Sequence, residues 1–311
     1  MIVGTMCMSH SPLMDRNRAD PGAEQRFGEA LSRAERLVEQ AQPDLTIVFY
    51  PDHINGFFYK LLPSFCVGAA GTSIGDFGTV QGALDIPEAA AFSLTRSLLD
   101  QGIDTAVSLD MEVDHGAMQP LELLSARHSL SRIIPVFINC AAAPRPTFER
   151  VRALGRAVGD WAQALPERVL MIGSGGLSHD PPIPNLTTAP QPVREQLIAG
   201  RPLNHSQRLA RQNRAINEGY ALAAGTSEIL PLNPEWDEKL MTAFTAGDLT
   251  VLDDMSDETL SATGGRGGHE VRAWVAALAA LGPDYRAEQL FYEPIDEWIT
   301  GMGILHASRA A

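Results

Sequence analysis

The chain has 311 residues, 45% apolar and 20% charged, which is enough length and apolar surface for a large core and rules out disorder as the main state. Its 24 basic and 38 acidic residues leave a formal charge of −14, so nucleic acid and anionic lipid are poor partners. Three cysteines form an odd, sparse set that excludes a disulfide framework and suits buried thiols in a reducing compartment.

The opening stretch "IVGTMCM" reads as a strand ending at Ser9 and His10. It carries no basic leader, and no apolar run in the chain reaches membrane-spanning length, so a cytoplasmic protein is expected. Residues 22–42 place Phe27, Leu31, Ala34 and Leu37 at helical spacing, and Pro43 and Asp44 break the pattern. "LTIVFY" reads as a strand buried on both faces, running into "PDH" and His53. The aromatic stretch that follows suits a cavity wall or a second pair of strands, with Phe57, Phe58 and Tyr59 as wall residues or ordinary core. "TSIGDFGTVQGALDIP" is glycine-rich and irregular. A helix is expected from Pro87 to Gly102.

"IDTAVSLDMEVDHGAMQPLELL" holds a strand-like part and then His115. "RIIPVFINC" reads as another core strand, "TFERVRALGRAVGDWAQAL" as an amphipathic helix, and "RVLMIGSG" as a strand with His179 just beyond it. Strands alternating with helices argue for an α/β architecture, in which sites gather beyond the C-terminal ends of strands. Past residue 180 the chain is proline-rich and looser, then helical through "SQRLARQNRAINEGYALAAG" and three further segments up to residue 283. The aromatic tail from Ala287 suits a cover over the site or an interface. We expect a single catalytic domain over residues 1–311, with a looser boundary near 180 and a mainly helical part, 181–311, that contributes Glu270. The apolar tail suggests a homo-oligomer.

Four of the eight histidines share a context: each follows an apolar run and sits beside small, acidic or proline residues. They are His10 in "CMSHSP", His53 in "YPDHIN", His115 in "EVDHGA" and His179 in "LSHDPP". His128 and His205 lack that context and read as surface residues; His306 is ambiguous. Glu270 follows "GGRGGH", where glycines let the backbone pass close to something bulky, and a carboxylate there can ligate a metal or simply favour a helix start. Two imidazoles and one carboxylate on one face of a metal suit Fe(II) or Zn and leave positions open. Two further histidines would remain for proton transfer. Taken alone, these residues do not say which histidines are the ligands. Asp52 and Asp114 stand beside histidines and are candidates to orient them. Arg266 is a candidate cation for a substrate carboxylate. The dinucleotide fingerprint, the phosphate loop, the "HExxH" zinc motif and the serine nucleophile elbow are all missing.

The stretches "CMSHSPL", "PDHINGFFY", "TSIGDFG", "VDHGAMQPLE", "GSGGLSHDPP", "LNPEWD" and "GGHEVRAWVAA" together closely resemble the LigB-type extradiol catechol dioxygenases, over essentially the whole chain. The resemblance implies a layered α/β fold with a mixed central sheet flanked by helices. It implies Fe(II) held by His10, His53 and Glu270, with His115 as proton donor and His179 as proton acceptor. The implied substrates are O₂ and a small aromatic diol, 3-(2,3-dihydroxyphenyl)propanoate or its cinnamate analogue, opened to 2-hydroxy-6-oxonona-2,4-dienedioate. The alternatives are another substituted catechol on the same iron chemistry, or a zinc hydrolase using the same three ligands.

Overall fold

Apolar runs too continuous to face water on either side become the middle of a sheet. The computed structural model describes residues 1–200 and 203–310. In chain order it begins with β1 (Ile2–Met8), α1 (Pro21–Ala41), β2 (Leu45–Tyr50), β3 (Phe65–Gly68), β4 (Gly71–Ser73), β5 (Gly82–Ala83) and α2 (Glu88–Asp100). It continues with β6 (Ala106–Ser108), β7 (Met111–Val113), α3 (His115–Leu124), β8 (Ile133–Ile138), α4 (Phe148–Gln163) and β9 (Val169–Ser174). The remainder is α5 (Gln191–Ala199), α6 (His205–Ala223), α7 (Pro234–Thr245), α8 (Asp257–Gly264), α9 (Val271–Ala279), β10 (Tyr285–Ile295) and β11 (Thr300–Arg309).

Eight strands form one mixed sheet in the order β10-β11-β1-β9-β2-β8-β3-β6. The central four, β1, β9, β2 and β8, run parallel, so the residues following β1, β2 and β9 emerge at one end. Side chains alternate across the sheet. Leu45, Ile47 and Phe49 join a core with α2, α4, α7 and α9, while Val48 and Tyr50 join one with α1 and α3. This is the expected α/β arrangement, a mixed sheet between helical layers. No helix among the described residues is long and apolar enough to cross a membrane.

Three elements differ from the reading of the sequence. The tail is mostly sheet: β10 and β11 pair antiparallel, β11 extends the sheet alongside β1, and only the turn between them, with Trp298, Ile299 and Thr300, reaches the cavity over the histidines. "HGAMQPLELL" is a helix, α3, despite Pro120 inside it. β7, which leads to His115, belongs to a small second sheet, β5-β4-β7, rather than to the main one.

Helix α9 is buried along its whole length. It is alanine-rich, and its neighbours approach it through glycines. A Cβ on Gly155 or Gly159 of α4 would run into the carbonyl oxygens of Ala276 or Ala280. One on Gly173 of β9 would come within 2.9 Å of Ala273 O. Backbone-to-backbone contact on two sides fixes where α9 starts, and Glu270 is the residue before it. We predict that Gly159→Ala destabilises the fold by about 1–3 kcal/mol through overpacking, outweighing the ~1 kcal/mol gain in helix propensity. Urea denaturation measures this; a variant as stable as the parent contradicts the packing account.

Candidate active site

Five ionisable side chains meet at the end of the sheet. His10, His53 and His179 lie just past β1, β2 and β9. His115 is the first residue of α3, and Glu270 closes the 3₁₀ turn Gly267–Glu270 that leads into α9. All five are buried. The His53 and His115 rings stack with centroids 4.3 Å apart, and His10 meets them edge-on at 5.3 and 5.5 Å. Ring nitrogens of His10, His53 and His115 lie within 4.8 Å of one another. Glu270 Oε1 is 3.2 Å from both His53 Nε2 and His179 Nε2. The four rings line a cavity of about 80 Å³ walled by Phe77, Pro181, Ile183, Trp298 and Thr300.

Each ring is oriented by a bond on its far side, which turns Nε2 inward. His10 Nδ1 donates to Ser174 Oγ at 3.0 Å, since that hydroxyl gives its own proton to Gly116 O. His53 Nδ1 donates to Asp114 Oδ2 at 3.0 Å, His115 Nδ1 bonds Asp76 Oδ2 at 2.6 Å, and His179 Nδ1 donates to Leu177 O at 2.9 Å. Glu270 Oε2 accepts from Gly176 N at 2.9 Å, leaving Oε1 to the imidazoles.

The sequence neighbours of these histidines have other roles. Asp114 orients His53 rather than the adjoining His115; it also caps α3 by accepting from Gly116 N. Asp52 accepts from the backbone N–H groups of Asn55, Gly56 and Phe57, and so shapes the loop instead of orienting His53. The partner of His115 is Asp76, in the irregular "IGDFG" stretch. Asp76 and Ser174 were not foreseen; their only signal is a short polar residue among glycines. Arg266 is not a free cation for substrate: it binds Asp180 Oδ1 at 2.6 Å and the carbonyls of Pro181 and Ile183. The bulky group beside the "GGRGG" glycines is His179. A Cβ on Gly267 would strike its ring, and Gly265 takes φ +77 against its carbonyl. Phe58 lines an adjoining cavity, whereas Phe57 stacks on Phe137. His269 is buried between Ser261 and Arg272, and His205 is exposed at the start of α6.

Burial governs the charges. It pushes His10 down to about 3, so His10 is neutral with a free Nε2 lone pair. Burial also disfavours charge on His53, but the Asp114 carboxylate and the bonds to Asp114 and Glu270 outweigh it and hold that ring well above its ordinary value. His179 is raised in the same way, with Glu270 overcoming burial. In turn His179 and His53 hold the Glu270 carboxyl well below the usual range despite burial. The cluster thus combines a neutral His10 and an ionised Glu270 with two rings, His53 and His179, on which the neighbouring carboxylates favour the proton. The Nε2 protons aimed at Glu270 occupy the place a cation would take. Two histidine nitrogens and an ionised carboxylate fit a divalent first-row metal such as Fe(II).

Comparison with known proteins agrees with this chemistry. Residues 4–303 match the family model described as the catalytic LigB subunit of aromatic ring-opening dioxygenase. A Rhodococcus protein named 2,3-dihydroxyphenylpropionate/2,3-dihydroxicinnamic acid 1,2-dioxygenase is 47% identical over 309 residues, covering 99% of this chain and 98% of its own. Proteins of the same name from Photorhabdus laumondii and Mycolicibacterium paratuberculosis are 43% and 44% identical, over 99% and 98% of this chain and 98% of each relative. Among solved structures, an uncharacterized Escherichia coli K12 protein shares the fold with a TM-score of 0.55 at 10% identity, covering 97% of this chain and 98% of the other.

Metal loading must displace the protons on the raised imidazoles. We predict that anaerobic Fe(II) binding releases protons near neutral pH. Affinity should fall about tenfold per pH unit, for each proton displaced, as pH drops below the raised pKa values. Titration in weakly buffered indicator solution at several pH values measures both quantities. Uptake without proton release, at pH-independent affinity, contradicts the charge assignment.

Proposed function

The chain belongs to the LigB family of aromatic ring-opening dioxygenases, and from that membership we propose that it opens 3-(2,3-dihydroxyphenyl)propanoate and the cinnamate analogue with O₂. The reaction is extradiol: the ring bond beside the arm-bearing carbon breaks and both atoms of O₂ remain in the product, which is 2-hydroxy-6-oxonona-2,4-dienedioate from the propanoate and retains the arm's extra double bond from the cinnamate analogue. The observation that carries the reading is the buried cluster of four inward-facing imidazoles around one fixed carboxylate, on a cavity wall.

His10, His53 and Glu270 are the residues we assign to hold Fe(II). His10 offers a neutral nitrogen, His53 a nitrogen positioned by Asp114, and Glu270 the negative charge that offsets part of the cation's. Fe(II) held there supplies the meeting point for diol and O₂ and the route for electrons between them. His115 is left with Nε2 facing the cavity and Nδ1 held by Asp76, which suits it to donate a proton as the O–O bond breaks. His179 lines the same cavity with Nδ1 engaged by Leu177 O; with a cation on Glu270 in place of the Nε2 proton, that nitrogen would be free to take the proton of a diol hydroxyl as substrate seats. Trp298, Ile183 and Pro181 wall the chamber with apolar surface and limit water.

The whole chain acts as one catalytic domain, because the site draws on β1, β2, α3, β9 and the turn before α9 together. We place it in the cytoplasm, where a reducing medium suits Fe(II) and three buried thiols. We also read it as a homo-oligomer: Phe92 and Leu99 of α2, with Val107 of edge strand β6 and the adjoining Leu109, leave apolar side chains exposed.

His10→Ala, His53→Ala and Glu270→Ala are expected to lose bound iron and activity together. His115→Gln and His179→Gln should keep iron and lose turnover by about 10²–10⁴-fold. Iron analysis after anaerobic preparation, with oxygen uptake and the yellow ring-opened product, tests both groups. A His115→Gln enzyme within threefold of the parent removes His115 from proton transfer.

A further inference from the structure

Arg208, Arg211 and Arg214 recur at three-residue intervals along α6, so they share one side of the helix. All three line a cavity of about 270 Å³ whose other walls include Ile54, Phe58 and Leu197. This chamber adjoins the smaller one over the histidines, and His53, Ile183 and Arg211 line both.

Other arginines, such as Arg168 and Arg194, bond only carbonyl oxygens, but Arg208, Arg211 and Arg214 stand together on one cavity wall. Arg33, Arg145, Arg152, Arg266 and Arg272 each meet a carboxylate. Arg208 instead donates to Ile74 O at 3.1 Å, and Arg211 to Asn55 Oδ1 at 3.1 Å and His53 O at 2.8 Å. Among the described residues, none of the three forms an ion pair. The carboxylates whose charge Arg211 feels are Asp52, Asp76 and Asp114, and all three already accept bonds from other donors. Among the described residues one acidic side chain, Glu112, is on the chamber wall, against the three arginines. In a chain of net charge −14, three guanidinium groups without acidic partners beside an apolar cavity mark a site for an anion from outside.

We infer that this row seats the carboxylate of the substrate's side arm, with Arg211 at the junction of the chambers making the contact and Arg208 and Arg214 adding positive field. The inference rests on the reading of the histidine chamber as the catechol site. A ring lodged there continues, through Ile183 and past Ile54, into a space that is apolar along its walls and cationic along α6. That combination matches a short hydrocarbon arm ending in a carboxylate. Arg211 is then a specificity-determining residue, and it also steadies the backbone carbonyl of His53.

The test compares kcat/KM for 3-(2,3-dihydroxyphenyl)propanoate with that for 3-propylcatechol, which has an uncharged three-carbon arm. The propylcatechol value is an internal reference for damage at His53. Arg211→Gln is expected to lower the propanoate-to-propyl ratio by about 10–100-fold, chiefly through KM, with Arg211→Lys recovering part of it. The double variant Arg208→Gln/Arg214→Gln should lower the ratio by a smaller factor, about threefold or more. If Arg211→Gln does not fold, the double variant decides. A parent enzyme that prefers propanoate, with variants that keep the ratio within twofold, overturns the arginine seat and leaves the proposed substrate standing. A parent that opens both catechols equally well overturns the arginine seat alone, and one that opens neither overturns the proposed substrate with it.

Discussion

A single carboxylate shared between two imidazoles organises this molecule. Glu270 is almost fully buried, and a buried carboxylate without partners costs several kcal/mol. It is tolerated because Gly176 N holds one oxygen while His53 and His179 meet the other. That geometry requires strand ends from β2 and β9 and the start of α9 to converge within hydrogen-bond distance. The close glycine contacts under α9 serve that convergence. An ordinary side chain at Gly159 or Gly173 would lift the helix and carry Glu270 away from its partners. Core packing and site chemistry are therefore one constraint, read at two places along α9.

The imidazoles are fixed by the same logic of complete satisfaction. Every ring has its outward nitrogen engaged; the partners of His10, His53 and His115 come from elements far away in sequence, while His179 uses the nearby Leu177 carbonyl. Asp114 serves four donors: it caps α3 through Gly116 N, holds the His53 backbone N–H, binds the His53 ring and accepts from Asn55 Nδ2. The small second sheet matters because β7 delivers Asp114 and His115 together, the first to bond the His53 ring and the second to stack on it. Rings held in this way can exchange a proton or a ligand bond without first reorganising, which is the condition for using them in catalysis.

Much of this was legible in the sequence. Continuous apolar runs such as "LTIVFY" read as strands covered on both faces, and the polar residues that follow them lie beyond the C-terminal ends of the central strands, where His10, His53 and His179 are found. What the residues alone left open was partnership. Asp52 and Asp114 stand beside histidines, but neighbouring side chains diverge, so each serves a different group. Asp76 reaches His115 from 39 residues away. The tail was harder still. β10 is an edge strand with a broken burial pattern, and β11 carries glycines that weaken any strand signal; their pairing with each other, and of β11 with β1, makes them strands. The α6 arginines read as the polar face of a surface helix until the structure placed them on a cavity.

The account turns on which three groups grip the metal. His10, His53 and His115 also bring their nitrogens within 4.8 Å of one another, so an all-histidine site is the direct competitor. A crystal structure of the anaerobically iron-loaded protein decides between them. The account predicts iron bonded to His10 Nε2, His53 Nε2 and Glu270, with His115 and His179 outside bonding distance. Iron held by His10, His53 and His115, with Glu270 still on His179, would contradict it.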